Sequence, residues 1–203
     1  MKSFDELASD QIIFATIQAL KSNNIEAMVV ENANNAKEKV LAMLPEGAEV
    51  MNMSSITLET LGLDKAINES GKYDAVKPKL YKMDRTTQSV EMQKYGSAPL
   101  WAVGSVQAIT ESGQIIIASN TGSQLSAYAY GSAHVIWVVG TQKIVKDLDE
   151  AMKRIYDFVL PLETVHMQQL YKVNSNVSKL LIINKEITPG RLTVIFVKEK
   201  LGF

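Results

Sequence analysis

Apolar positions recur in two rhythms along the chain, and these outline its elements. Ile13, Ile17 and Leu20 stand at helical spacing; after the polar break Ser22-Asn23-Asn24, the short run EAMVVE from Glu26 to Glu31 reads as a strand. Ala36, Val40, Met43 and Leu44 then repeat at helical spacing, Pro45 and Gly47 stop the pattern, and EVMNM follows as another strand. Strand, helix and strand in that order predict a parallel βαβ unit. A short helix is expected from Ser54 to Leu63, capped by Ser54 or Ser55.

From Lys72 to Gly96 charges, a proline and isolated apolar residues mix, which predicts an irregular or short-helical linker. Beyond it WAVGSVQAIT and QIIIAS are rich in small and β-branched residues, and Glu-Ser-Gly between them is turn chemistry. HVIWVV reads as a buried strand. Leu148, Ala151, Ile155, Phe158 and Val159 form the apolar stripe of the following helix, whose start is set by Asp147 with Glu150 in a capping-box arrangement. KLLIIN and RLTVIFV flank KEITPG and its Pro189-Gly190 turn, so a hairpin or neighbouring strands are expected. With roughly six or seven strands interspersed with helices, the pattern predicts an α/β fold with a mixed, largely parallel sheet flanked by helices. The chain is read as one domain over residues 1–203, with an N-terminal helix at about 3–22 and a less regular segment at about 72–96.

Composition narrows the function classes. The 203 residues are 46% hydrophobic, which supports one substantial core, and 21 basic against 22 acidic side chains give a formal net charge of −1. That balance offers no net attraction to nucleic acid or an anionic membrane. There is no cysteine, which excludes disulfides, thiolate metal sites, iron–sulfur ligation and cysteine nucleophiles in this chain. The N-terminus lacks the basic and apolar regions of a signal peptide, and no stretch is long and apolar enough to span a bilayer, so a cytoplasmic location is expected.

Two neighbouring features carry candidate chemistry. Glu111, between two apolar strands, is either a solvated turn glutamate or a partly desolvated carboxylate suited to nucleophilic or base work. Asn120, Thr121, Gly122, Ser123 and Gln124 follow a strand and precede a short helix. Such a junction either presents N–H groups and hydroxyls to an anion or uses Ser123 or Thr121 as a helix cap. Lys143 follows the HVIWVV strand, at the sheet edge where ligands gather in open α/β folds, and is either an anion's counter-charge or a solvated lysine. His134 and His166 have no companion at metal-ligand spacing, so no metal site is expected; Trp101 and Trp137 read as core or pocket walls, and Arg191 as an exposed turn residue.

The segments VGSVQAITESGQIIIAS, TGSQLSAYAYGSAHVIWVVGTQKIV and RLTVIFVKEKLGF together resemble the LUD, or lactate-utilisation, domain family. The resemblance is dense in the C-terminal half and rests on element order in the N-terminal half. It implies a fold similar to glucosamine-6-phosphate deaminase, ribose-5-phosphate isomerase and the coenzyme A transferases. It also implies a protein related to lactate-utilisation protein C, which binds a small organic anion or phosphorylated metabolite and supports oxidation of lactate to pyruvate beside iron–sulfur partner proteins. With no cysteine here, any cluster belongs to those partners; a homodimer is the default assembly. A more distant likeness sets Thr110-Glu111-Ser112-Gly113-Gln114 beside the Ser-Glu-Asn-Gly-apolar signature of coenzyme A transferases, departing from it at Ser112 and Gln114. On it Glu111 would be an acyl-accepting nucleophile and Gly113 would give a ligand access to the backbone. The Asn120-Thr121-Gly122-Ser123 loop similarly resembles the phosphate loop of ribose-5-phosphate isomerase, which implies anion binding by Thr121, Gly122 and Ser123.

Overall fold

The computed structural model describes residues 4–203 and places the strands at the middle of a layered α/β arrangement. In chain order the strands are β1 (Glu26–Val30), β2 (Glu49–Asn52), β3 (Asp74–Ala75), β4 (Trp101–Gly104), β5 (Ala108–Thr110), β6 (Ile115–Ser119), β7 (His134–Gly140), β8 (Ile144–Val145), β9 (Lys179–Ile183) and β10 (Leu192–Val197). The helices are α1 (Asp10–Ser22), α2 (Ala33–Met43), α3 (Ile56–Thr60), α4 (Leu63–Asn68), α5 (Val76–Tyr81), α6 (Ser89–Ser97), α7 (Leu148–Lys153) and α8 (Leu160–Tyr171).

Six strands form a parallel sheet in the order β1-β10-β7-β4-β2-β3. The other four form a smaller mixed sheet, β8-β5-β6-β9, in which β5 and β6 are an antiparallel hairpin. Side-chain alternation explains the layers. On β7, Val135, Trp137 and Val139 enter one core, with α1 and the smaller sheet; Ile136 and Val138 enter the other, with α2, α3 and α4. A third cluster joins Ala108 and Ile116 of the smaller sheet to Ala151 and Ile155 of the helix that follows β8. Each such side chain contributes roughly 1.5–3 kcal/mol on leaving water.

Helix starts follow local chemistry. Ser9 Oγ, the Asn32 side chain and Asp147 Oδ1 accept backbone N–H bonds at the first turns of α1, α2 and α7. The N-terminal helix begins at Asp10 rather than near residue 3, and residue 3 lies outside the described residues. α7 and α8 are joined by a π-helical stretch, Arg154–Val159. Pro161 explains that widening: its ring would meet the carbonyl four residues back in a regular α-helix, and it has no N–H to give.

One expectation needs correction, the β9–β10 pairing, and two gain detail. β1 and β2 are parallel but not neighbours, because β10, β7 and β4 lie between them. The strands buried on both faces, HVIWVV and LTVIFV, occupy the centre, and β1, which exposes Glu26, takes an edge. β9 and β10 are not a hairpin: they belong to different sheets. β10 is buried throughout while β9 alternates between exposed and half-buried positions, so only β10 suits the interior of the large sheet. Within the segment read as irregular or short-helical lie the short strand β3 and the helices α5 and α6.

Candidate functional site

Parallel strands release their following loops at one edge of the sheet, and that edge opens onto a cavity of about 280 Å³. Residues 53–57 after β2, 105–107 after β4, 119–121 at the end of β6, and Lys143 after β7 supply one side. Ile155, Val159, Leu160, Glu163 and Met167, on the helix containing the π turn, supply the other.

Lys143 is the central charged group. Its side chain is 3% exposed, and its Nζ donates to Thr57 Oγ1 and to Ser105 Oγ, each at 3.2 Å. Among the described residues no carboxylate forms an ion pair with it. Burial, reinforced by the Arg154 guanidinium, lowers its pKa from the usual lysine range to about 7. Arg154 is itself fully buried, donates from Nη1 to the Gln107 carbonyl at 2.6 Å, and has its own pKa lowered to about 10, chiefly by burial. Glu163, on the facing wall, has its carboxyl pushed up by burial. The cavity therefore sets one desolvated amine, backed by the buried Arg154 behind its wall, beside hydroxyls, amides and one carboxyl of raised pKa.

At the end of β6 the loop folds on its own hydroxyls. Ser119 Oγ accepts from Gly122 N at 2.8 Å and donates to Gln124 Oε1 at 2.9 Å, while Thr121 Oγ1 accepts from Ser123 N at 3.3 Å. This presents Asn120 and Thr121 to the cavity; Gly122 and Ser123 do not line it. Gly122 has φ +85°, and a Cβ there would stand 2.6 Å from Lys179 Cδ, so the glycine shapes the turn. The N–H groups of Gly122 and Ser123 are bonded within the loop and so are not free to meet a ligand.

Lys143, Asn120 and Thr121 are thus brought together, and Lys143 is buried rather than solvated. Glu111 and Gly113 stand elsewhere. Because β5 and β6 are antiparallel, their connecting turn lies at the opposite end of the hairpin from Ser119, and Glu111 is exposed there with its N–H on the Val145 carbonyl. Gly113, φ +84°, lies against α1, where a Cβ would come within 2.9 Å of Leu20 N. It serves packing at that point.

Arg191 also departs from its expected turn role. It is buried, paired with Glu186 at 2.7 Å, and donates to the carbonyls of Ser132, Ala127 and Tyr128. It thereby anchors the π-helical turn Ala127–Gly131, which holds Tyr128 at the cavity. His134 stacks on Trp101 with ring centroids 4.1 Å apart, and His166 meets the Phe203 ring edge-on. Among the described residues no group of three or more His, Asp or Glu gathers as a metal site, and no helix is long and apolar enough to cross a membrane.

Thr57, Ser105, Gln107, Tyr128 and Glu163 also line the cavity and were not singled out from the sequence. The one signal available was the position of Thr57 just past the predicted strand EVMNM, where α/β ligands bind; Ser105 and Gln107 fall inside the run WAVGSVQAIT, which the structure divides into β4 and β5. Glu163 and Tyr128 reach the site through tertiary packing.

These features define an α/β protein with a polar cavity at the carboxyl edge of a parallel sheet. The LUD domain family model matches residues 14–197, and the chain belongs to that family, which is linked to lactate utilisation. A DUF162 family protein from Deinococcus radiodurans shares the fold at a TM-score of 0.57 and 13% identity, over 95% of this chain and 99% of that one. Fainter similarity reaches eIF2B delta from Chaetomium thermophilum, at a TM-score of 0.32 and 15% identity over 71% of this chain and 57% of that one. No protein of curated function matches the sequence.

Proposed function

We propose that the cavity binds a small organic anion or phosphorylated metabolite, and that the protein supports oxidation of lactate to pyruvate beside iron–sulfur partner proteins. The observation that carries the binding reading is Lys143: a buried amine on the cavity wall, held by two neutral hydroxyls and with no carboxylate partner among the described residues. An anion there restores a counter-charge in a low-dielectric setting, where the pairing is strong. Asn120 and Thr121 add polar contacts, and the cavity's size suits a small metabolite rather than a polymer. Family membership supports the lactate link. The chain has no cysteine to ligate a cluster, so electron transfer in this reading belongs to the partners.

The coenzyme A transferase alternative gains no support from geometry, because Glu111 is an exposed turn residue outside the cavity. Thermal shift with lactate, pyruvate, inorganic phosphate and ribose 5-phosphate tests the binding reading. One or more should raise the melting temperature of the native chain, and the increment should vanish in Lys143→Met. No increment with any of them, or an equal one in the variant, would place the function elsewhere.

A further inference from the structure

Resting on the anion-binding reading above, the geometry points to a second role for the same side chain: we infer that Lys143 forms an imine with a carbonyl-bearing small acid, its amine attacking the carbonyl carbon of the bound ligand. An ammonium has three N–H groups, and Thr57 Oγ1 and Ser105 Oγ take two of Lys143's. The third, or the lone pair of the neutral amine, has no hydrogen-bond partner among the described residues. Thr57 gives its own proton to the Leu201 carbonyl at 3.2 Å, so toward Lys143 it acts only as an acceptor and fixes the amine's position. Ser105 accepts from Lys143 and still carries its own hydroxyl proton to relay.

A simple anion clamp has no need of an amine that spends much of its time neutral, whereas imine chemistry does. Desolvation and the Arg154 charge supply that condition here, since Lys143 titrates at about 7. The step balances: the neutral amine adds to the C=O carbon, the carbonyl oxygen is protonated, and loss of water leaves C=N. Glu163, its carboxyl pushed up by burial, lines the same cavity, and the Ser105 hydroxyl on Lys143 can pass the proton on. The protonated imine then carries the positive charge that the ligand's own acid group balances. Pyruvate-like 2-oxo acids and aldose phosphates share the required chemistry, a carbonyl beside an anionic group.

Borohydride reduction of the full chain with pyruvate, and separately with ribose 5-phosphate, reads the result by intact mass and peptide mapping. One of the two should add its own mass less one oxygen atom at Lys143. Trapping should be faster than at surface lysines by on the order of a thousandfold near neutral pH, reflecting the larger neutral fraction. Lactate, which has no ketone or aldehyde carbonyl, should block the adduct, and Lys143→Met should abolish it; if that variant does not fold, the wild-type peptide map decides. Adducts absent from Lys143, or no richer there than on the surface, overturn the imine; a thermal shift with lactate that persists in that case leaves the binding reading standing. Absence of both adduct and shift overturns both.

Discussion

Thr57 Oγ1 accepts a hydrogen bond from Lys143 Nζ at 3.2 Å while passing its own proton to the Leu201 carbonyl at the same distance. Helix α3 is thereby joined both to the segment after β10 and to the loop after β7 through one buried hydroxyl. Thr57→Val keeps the side chain's shape and removes the acceptor. The charged form of Lys143 then loses one of its two bonds, and its pKa should fall by roughly one unit. The pH at which the anion-induced thermal shift is half-lost should move toward acid by a similar interval.

Lys143 itself makes stability pH-dependent, with a sign that follows from its lowered pKa. Burial, and then Arg154, bring it to about 7, below the 10.5 of an unperturbed lysine. Between those values the unfolded chain binds the extra proton, so this residue's contribution to stability rises with pH from about 7 to about 10.5. Lys143→Met removes the charge burial. The variant should be the more stable at pH 6 to 7, by about a few kcal/mol, with the gap closing as pH rises. Urea titrations of both chains across that range measure the difference.

The Glu186–Arg191 pair should show a slope of the same sign, but in the acid range. Burial raises the Glu186 carboxyl, but the Thr188 N–H, the Arg191 guanidinium and the Ile187 N–H together outweigh it and hold the pKa below the usual glutamate range. Its stabilisation is therefore full above the unfolded pKa and is lost as pH falls through the lower folded value. Arg191→Met leaves the Glu186 charge and three carbonyls without their partner and should cost about 3–5 kcal/mol at neutral pH. Loosening of the Ala127–Gly131 turn should accompany it, seen as faster amide exchange there.

Gly104 ends β4 against Tyr128, and a Cβ at that position would collide with the phenol oxygen. Gly104→Ala should displace Tyr128 from the cavity wall, lower the thermal shift given by the bound anion, and destabilise the fold by roughly 1–3 kcal/mol. A crystal structure of the variant would show the moved ring.

Glu111 and Gly113 should behave as structural surface and structural contact. Glu111→Gln should leave the ligand-induced shift unchanged and stability within about 0.5 kcal/mol. Gly113→Ala faces both a positive φ and the backbone of α1, and should cost more than ~1 kcal/mol by chemical denaturation. A lost ligand shift in Glu111→Gln would return the transferase chemistry to consideration.

Local chemistry was sufficient for much of this fold. The spacing of Ile13, Ile17 and Leu20, the Asp147 cap, the Glu-Ser-Gly turn and the doubly buried runs HVIWVV and LTVIFV each specify an element through interactions among near neighbours. The same reasoning put Asn120, Thr121 and Lys143 at strand ends, where parallel sheets gather ligands. Strand order was decided only in three dimensions, because a βαβ pattern fixes direction and not adjacency: three strands separate β1 from β2, and β9 parts from β10 into another sheet. Burial of charge was decided there too. Nothing beside Lys143 in the chain marks it as desolvated; Thr57 and Ser105, 86 and 38 positions away, together with Arg154, make it so. Conversely Glu111, conspicuous in the sequence between two apolar strands, faces solvent because an antiparallel hairpin carries its turn away from the end where Ser119 meets the cavity.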